Sequence, residues 1–312
     1  MTTGNRWCVA VSIAALLALS AGCGSTHSVD VRSRDFTPPG GFTPEVEGPA
    51  VDADGNLYAV SFARKPTLGI VTPDGKASLF IDMPQGSTAN GIRFDRAGTM
   101  YMADYTGHNV LRVDMKTKAV TVFAHNDKMN QPNDLAIMDN DILLASDPNW
   151  KESTGQLWRI DRDGSTHLLE ANMGTTNGIE VSPDNKTLYV SESIQRNVWA
   201  YDLSPQGNIS NKRLLLKLPD FGSDGMRCDA AGNLYLTRYD KGTVAIISPK
   251  GAILREVQLT GKKPSNIAFG GPDGRTCYVT MADRGNIETF RTDTPGRSHA
   301  MRKANAPAPG GK

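Results

Sequence analysis

Short apolar runs alternate with turns rich in Gly, Pro, Asn and Asp along most of this chain, and the alternation repeats. Residues 220–239 show it most clearly. A loop delivers Asp224 and Gly225, an apolar run follows at 226–229, a turn at 230–233, and a second apolar run at 234–237. The runs are too short for helices and rich in Val, Ile, Leu and Tyr, so the pattern predicts strand, tight turn, strand.

The same phrase occurs six times. Leu57-Tyr58, Met100-Tyr101, Leu188-Tyr189, Leu234-Tyr235 and Cys277-Tyr278 each follow a turn, and Leu143-Leu144 fills the remaining slot with Leu in place of Tyr. Successive anchors are 43, 43, 45, 46 and 43 residues apart. A period in the low forties with several short strands per unit predicts an all-β, six-bladed β-propeller with four-stranded antiparallel blades. The other strands fall between the anchors, with turns at Pro73-Asp74-Gly75, Arg162-Asp163-Gly164 and Pro249-Lys250-Gly251. The sixth unit ends near residue 291 with only three strands. Part of residues 29–36, which alternate somewhat, is therefore expected to close the last blade as its outer strand.

Eleven or twelve residues before each anchor stand Glu47, Asn90, Asn133, Asn177, Asp224 and Asn266. Each just precedes the first strand of its unit. First strands line the channel of a propeller, so six side-chain oxygens are expected to ring one mouth. Asn-Gly and Asp-Gly are also common turn pairs, which explains any one of these positions. It does not explain two acids and four amides at one equivalent place, nor Glu47 before Gly48-Pro49. Strand parity puts residues 105–108, 148–154, 193–196, 238–241 and 283–285 on the same face. Trp150, in the longest of these loops, is placed to cover a bound ring.

The chain has 312 residues and net charge +1, so there is no basic footprint for nucleic acid. Arg6, an apolar run at 7–19 and Ser20-Ala21-Gly22-Cys23 read as a bacterial lipoprotein signal with lipid on Cys23. The run is short for a membrane span. The expected product is an exported, envelope-anchored, periplasm-facing monomer that meets the membrane only through its lipid. Residues 1–22 form the leader, 23–40 a tether and closing strand, 41–295 the propeller, and 296–312 a polar disordered tail. Cys228 and Cys277 sit in strands without a framework spacing and are expected to be buried thiols.

Carboxylate and amide oxygens are hard donors that suit Ca²⁺, Mg²⁺ or Mn²⁺. The five histidines fall at unrelated places in the repeat, and no GxSxG, HExxH or Walker pattern occurs. The chain resembles the senescence marker protein / gluconolactonase / luciferin-regenerating enzyme family. The resemblance rests on Glu47-Gly48-Pro49, Asn133-Asp134, Thr176-Asn177-Gly178 with Leu188-Tyr189-Val190-Ser191, Ser223-Asp224-Gly225-Met226 with Gly232-Asn233-Leu234-Tyr235, and Asn266-Ile267-Ala268-Phe269-Gly270-Gly271.

The resemblance implies one divalent cation at the mouth, Ca²⁺ first, with Zn²⁺, Mn²⁺ or Mg²⁺ as alternatives. Glu47, Asn177 and Asp224 would bind it, with Asn133 as a further ligand or substrate contact. Asp224 would double as the acid/base residue, as base or as nucleophile. Asn90, Gln131, Asn133, Trp150 and Asn266 would meet a small-molecule substrate. The implied reaction is lactone or ester hydrolysis. Sugar lactonases of the family resemble Arg-x-Asn-Asp where this chain has Gln131-Pro132-Asn133-Asp134, and the missing guanidinium counts against an aldonolactone. Two other classes stay open. Residues 98–114 also resemble a unit of non-catalytic NHL-type binding propellers, and a phosphotriesterase- or lyase-type propeller would use the same cation.

Overall fold

A computed structural model describes residues 1–2, 32–299 and 301. Cys23, most of the expected leader and residues 29–31 of the expected closing segment lie outside the described residues.

Six four-stranded antiparallel sheets are arranged as blades. Five of them run in sequence order from an inner to an outer strand. Their inner strands are Ala50–Val51, Ala89–Phe94, Leu135–Ile137, Thr176–Val181 and Met226–Cys228. The sixth runs Pro264–Gly270, Thr276–Met281, Asn286–Arg291 and then Arg34–Asp35. Arg34 pairs with Thr289 and Asp35 with Glu288, so the N-terminal segment completes the last blade as its outer strand. Asp35 also accepts from Arg284 (2.9 Å) and Asn286 (3.0 Å), and Phe36 N donates to Ile287 O at 2.8 Å.

The inner strands are buried on both faces, because each sheet is sandwiched between two others. The apolar core is correspondingly split into layers between neighbouring blades. One layer joins Tyr58, Val60 and Leu68 to Ile92, Met100 and Leu111, and another closes the ring by joining Leu57 and Val71 to Ala268, Tyr278 and Ile287. Outer strands such as Ile209–Lys217 are largely exposed. Cys228 and Cys277 are free and buried.

The recurrent tyrosine has a local cause. Asp52 accepts from the backbone N of Asp54 (2.9 Å) and Asn56 (2.8 Å), while Tyr58 Oη donates to its other oxygen at 3.0 Å. Asp95 with Tyr101 and Asp229 with Tyr235 repeat the device at 3.5 and 3.4 Å. In the third blade the equivalent of the aspartate is Met138. Leu144 fills the slot as pure core, whereas Tyr189 and Tyr278 keep the ring although Pro183 and Pro272 stand at the equivalent position.

Residues 296–299, expected to belong to the tail, pack under the ring instead. Arg297 is buried: its guanidinium donates to Ile137 O (2.9 Å), Asp139 Oδ1 (2.9 Å) and Asn185 Oδ1 (3.0 Å), and lies 3.7 Å from Glu180 Oε1. It closes the face of the channel opposite the six oxygens.

Candidate active site at the channel mouth

The residues that precede the inner strands are drawn together by contacts between blades. Gly91 N donates to Asn133 O (2.8 Å), Gly178 N to Asp224 O (3.2 Å), and Gly225 N to Ser265 O (2.8 Å). Ser265 Oγ donates to Val46 O at 2.6 Å and so carries the chain of contacts on to the first blade. These glycines are there for close approach. A Cβ on Gly225 would lie 2.0 Å from Asn266 Cγ, and the positive φ angles of the chain fall at other residues than Gly91, Gly178 and Gly225. The Asn-Gly and Asp-Gly pairs are therefore not turn pairs.

A cavity of about 430 Å³ opens at this mouth. Glu47, Asn90, Asn133, Asn177 and Asp224 line it together with Trp150, Tyr105 and Tyr239. A neighbouring cavity of about 640 Å³ shares Trp150, Asn177, Asp224 and Tyr239. Asn90 is half-buried and donates to Asn133 O at 3.0 Å.

The Glu47 carboxyl lies close enough to Asp224 to raise its proton affinity, and the Asn177 side chain acts on Asp224 in the opposite sense. Burial, and then the negative charge of Asp134, push the Glu47 carboxyl up to about 7. Burial and the Glu47 charge push Asp224 well above the usual carboxylate range, against the opposing hydrogen bond from Asn177. Beside this pair, Asn133 Oδ1 and Asn177 Oδ1 are buried acceptors without a hydrogen-bond partner. Two carboxylates that repel one another and two unsatisfied amide oxygens form a donor set that fits a hard divalent cation. Among the described residues no group of three or more His, Cys, Asp or Glu is placed to hold a metal; amides complete this set instead.

Asn266 is fully buried and lines neither cavity. Its amide nitrogen is 2.9 Å from Glu47 Oε2 and 3.4 Å from Asp134 Oδ2. Gln131 also lies off both cavities: its Oε1 accepts from Trp150 N at 3.3 Å.

Beneath the mouth lies an ion layer that alignment on the anchors did not bring out. Asp134, with no exposed surface, pairs with Arg93 (3.2 Å) and Arg227 (3.0 Å). The two arginines hold Asp134 ionised against its burial. Burial and the Arg227 charge bring Arg93 down to about 10. A signal existed in the sequence. Arg93, Glu180 and Arg227 each stand three residues after Asn90, Asn177 and Asp224, so charge recurs at one equivalent position of otherwise apolar strands.

The family model described as SMP-30/Gluconolactonase/LRE-like region matches residues 35–283. The chain belongs to this family. A gluconolactonase from Zymomonas mobilis is 29% identical over 286 residues, covering 80% of this chain and 79% of the relative. A 6-deoxy-6-sulfogluconolactonase from Pseudomonas putida is 33% identical over 144 residues, or 45% of this chain and 50% of the relative. The crystal structure of a calcium-binding protein, regucalcin, from Agrobacterium tumefaciens shares the fold. Its TM-score is 0.74 at 20% identity, over 85% of this chain and 95% of that one. Within this SMP-30/gluconolactonase/LRE-like chain, Gln131 supports the Trp150 loop through the Trp150 backbone N rather than lining either cavity.

Proposed function

We propose that this protein hydrolyses a lactone or a related ester at the channel mouth with the help of one divalent cation. Glu47, Asn177 and Asp224 would hold the cation, Ca²⁺ first among the candidates, with Asn133 as a fourth donor or a substrate contact. When bound, it would polarise the ester carbonyl and offset the charge that develops on its oxygen. The observation that carries this reading is the pairing of buried Glu47 with partly buried Asp224 beside two unpartnered amide oxygens.

The residues divide the remaining work. Burial and the Glu47 charge raise the proton affinity of Asp224 in the metal-free protein; a bound cation would lower it, so the base role requires that only one Asp224 oxygen be committed to the cation. One Asp224 oxygen would take the proton from water while the other would stay in the donor set. Asn266 and Gly48 N fix the Glu47 carboxylate by hydrogen bonds to Oε2. Trp150 and Tyr239 flank the site and reduce its exposure to water.

The relatives named as lactonases support lactones as the substrate class. The test is a panel of lactones with added Ca²⁺, Mn²⁺, Mg²⁺ or Zn²⁺, followed by chelator. Turnover that chelation abolishes supports the reading; a panel without turnover under every cation sinks it. From residues 1–23 we further propose export and lipid attachment at Cys23, which metabolic labelling with a fatty acid, compared with Cys23→Ser, would decide.

A further inference from the structure

The second cavity at the mouth has an unusual wall. Phe221 and Ile194 keep 47% and 53% of their surface exposed, and both line it together with Trp150 and Tyr239. Exposed apolar side chains are ordinary when scattered, but these four converge beside Asn177 and Asp224. The charged residues on this wall, Arg196 and Asp240, have other partners: Arg196 donates to Pro219 O at 3.3 Å, and Asp240 lies 3.9 Å from Lys263 Nζ.

The loop that carries Phe221 is clamped around that residue. Arg238 has no exposed surface. Its Nη2 donates to Asp220 O at 2.5 Å and to Asp220 Oδ1 at 2.6 Å, and its Nε donates to Gly222 O at 3.3 Å. Ser193 Oγ donates to Ser223 O at 2.6 Å. The carbonyls of residues 219, 220, 222 and 223 thus each accept from a side chain. Between them Phe221 has φ 41°, a left-handed conformation that a bulky side chain adopts only under constraint. Strain of this kind persists where the surroundings impose it, and it gathers at functional sites. Here a buried guanidinium imposes it, and the result is an aromatic ring held out over the cavity. On the opposite side Trp150 is positioned through its backbone N by Gln131.

We propose that the substrate carries an apolar alkyl or aryl substituent, seated between Trp150, Ile194, Phe221 and Tyr239 while its ester group lies at Asp224. This assignment rests on the hydrolase reading above and narrows it. The cavity of about 640 Å³ is within the usual range for a small-molecule site and exceeds what an unsubstituted lactone ring fills. Hydroxyls set against Trp150, Ile194 and Phe221 would find no partner there, which is unfavourable, while the polar side chains of Asn177, Ser193 and Ser223 line the part of the cavity beside Asp224.

The experiment uses the whole protein with Ca²⁺ and a series of δ-lactones whose ring substituent grows from methyl to octyl, with glucono-δ-lactone alongside. The expected result is a rise in kcat/KM of up to about fourfold per added methylene until the cavity is filled, and a lower value for glucono-δ-lactone. Ile194→Ser and Phe221→Asn change exposed side chains, and Asn tolerates the left-handed backbone. Each is expected to lower the octyl-to-methyl ratio of kcat/KM at least fivefold, with melting temperature as the folding control. A flat or falling series in the wild type, or variants that keep the wild-type ratio, overturns the apolar seat and leaves the hydrolase reading standing. No turnover of any member, with Ca²⁺ and again with Mn²⁺, Mg²⁺ and Zn²⁺, overturns both.

Discussion

Asn266 donates its side-chain amide to Glu47 Oε2 across 2.9 Å, joining two residues 219 positions apart in the chain. The same nitrogen lies 3.4 Å from Asp134 Oδ2. One amide thus links the mouth to the ion layer beneath it. Replacing Asn266 with Ala leaves a buried carboxylate short of a donor. Stability is expected to fall by about 1–3 kcal/mol, and Ca²⁺ affinity is expected to weaken because Glu47 is no longer oriented. Denaturant unfolding and calorimetric titration of Asn266→Ala check the two effects separately.

Asp224→Asn keeps shape and removes a charge. Hydrolysis is expected to fall by a factor of roughly 10² to 10⁴, the usual contribution of a general base. In chelator the variant is expected to melt above the wild type, since it lifts the repulsion from Glu47. Wild-type-like turnover in this variant would remove Asp224 from the reaction.

The pH dependence of the metal-free protein follows from the same pair. The Glu47 carboxyl is held at about 7 in the folded chain against its ordinary 4.5. A raised folded value on an acid means that the native state keeps a proton the unfolded state has released. The contribution of Glu47 to stability is therefore fully present below about pH 4.5, is lost as pH rises to about 7, and stays lost above it, while the carboxylates held low by their arginines, such as Asp134 and Asp273, act in the opposite direction at acid pH. Asp224 shifts in the same direction as Glu47. In chelator, the melting temperature of Glu47→Gln is expected to exceed that of the wild type by a margin that widens across this window. Added Ca²⁺ is expected to narrow that margin. A constant difference between the two proteins from pH 4 to pH 8 would contradict it.

Arg297 donates to Ile137 O, Asp139 and Asn185 and lies near Glu180 at the far end of the channel. Arg297→Ala leaves Glu180 and a buried carbonyl without that partner. The expected loss is roughly 2 kcal/mol or more, read as a lower denaturant midpoint. Activity of the folded fraction is expected to hold, because the residue lies opposite the mouth.

The blade count, the strand order and the closing strand were legible in the sequence because each unit repeats one local solution. Tyr58, Tyr101 and Tyr235 mark it with a turn aspartate, Tyr189 and Tyr278 keep the ring without one, and Leu144 keeps only the apolar character of the slot. The ring of oxygens was legible as an equivalence, and five of its six members line one cavity. Asn266 differs because its amide has two buried carboxylates to serve, a fact set by packing between blades. Phe221 was invisible for a related reason. Its backbone conformation is imposed by Arg238, seventeen residues on, and no local pattern encodes that clamp. The ion layer left a trace in Arg93, Glu180 and Arg227 at one repeat position, but Asp134 sits out of register with them.

The pairing of Arg34 and Asp35 with Thr289 and Glu288 bears on how the molecule is made. The earliest strand to leave the ribosome has no partner until some 250 residues more have followed it. Until then the final sheet keeps a raw edge, and the circle stays open at one seam. Both ends of the domain must therefore be present before either is secure, and truncation from either side is expected to undo the same joint.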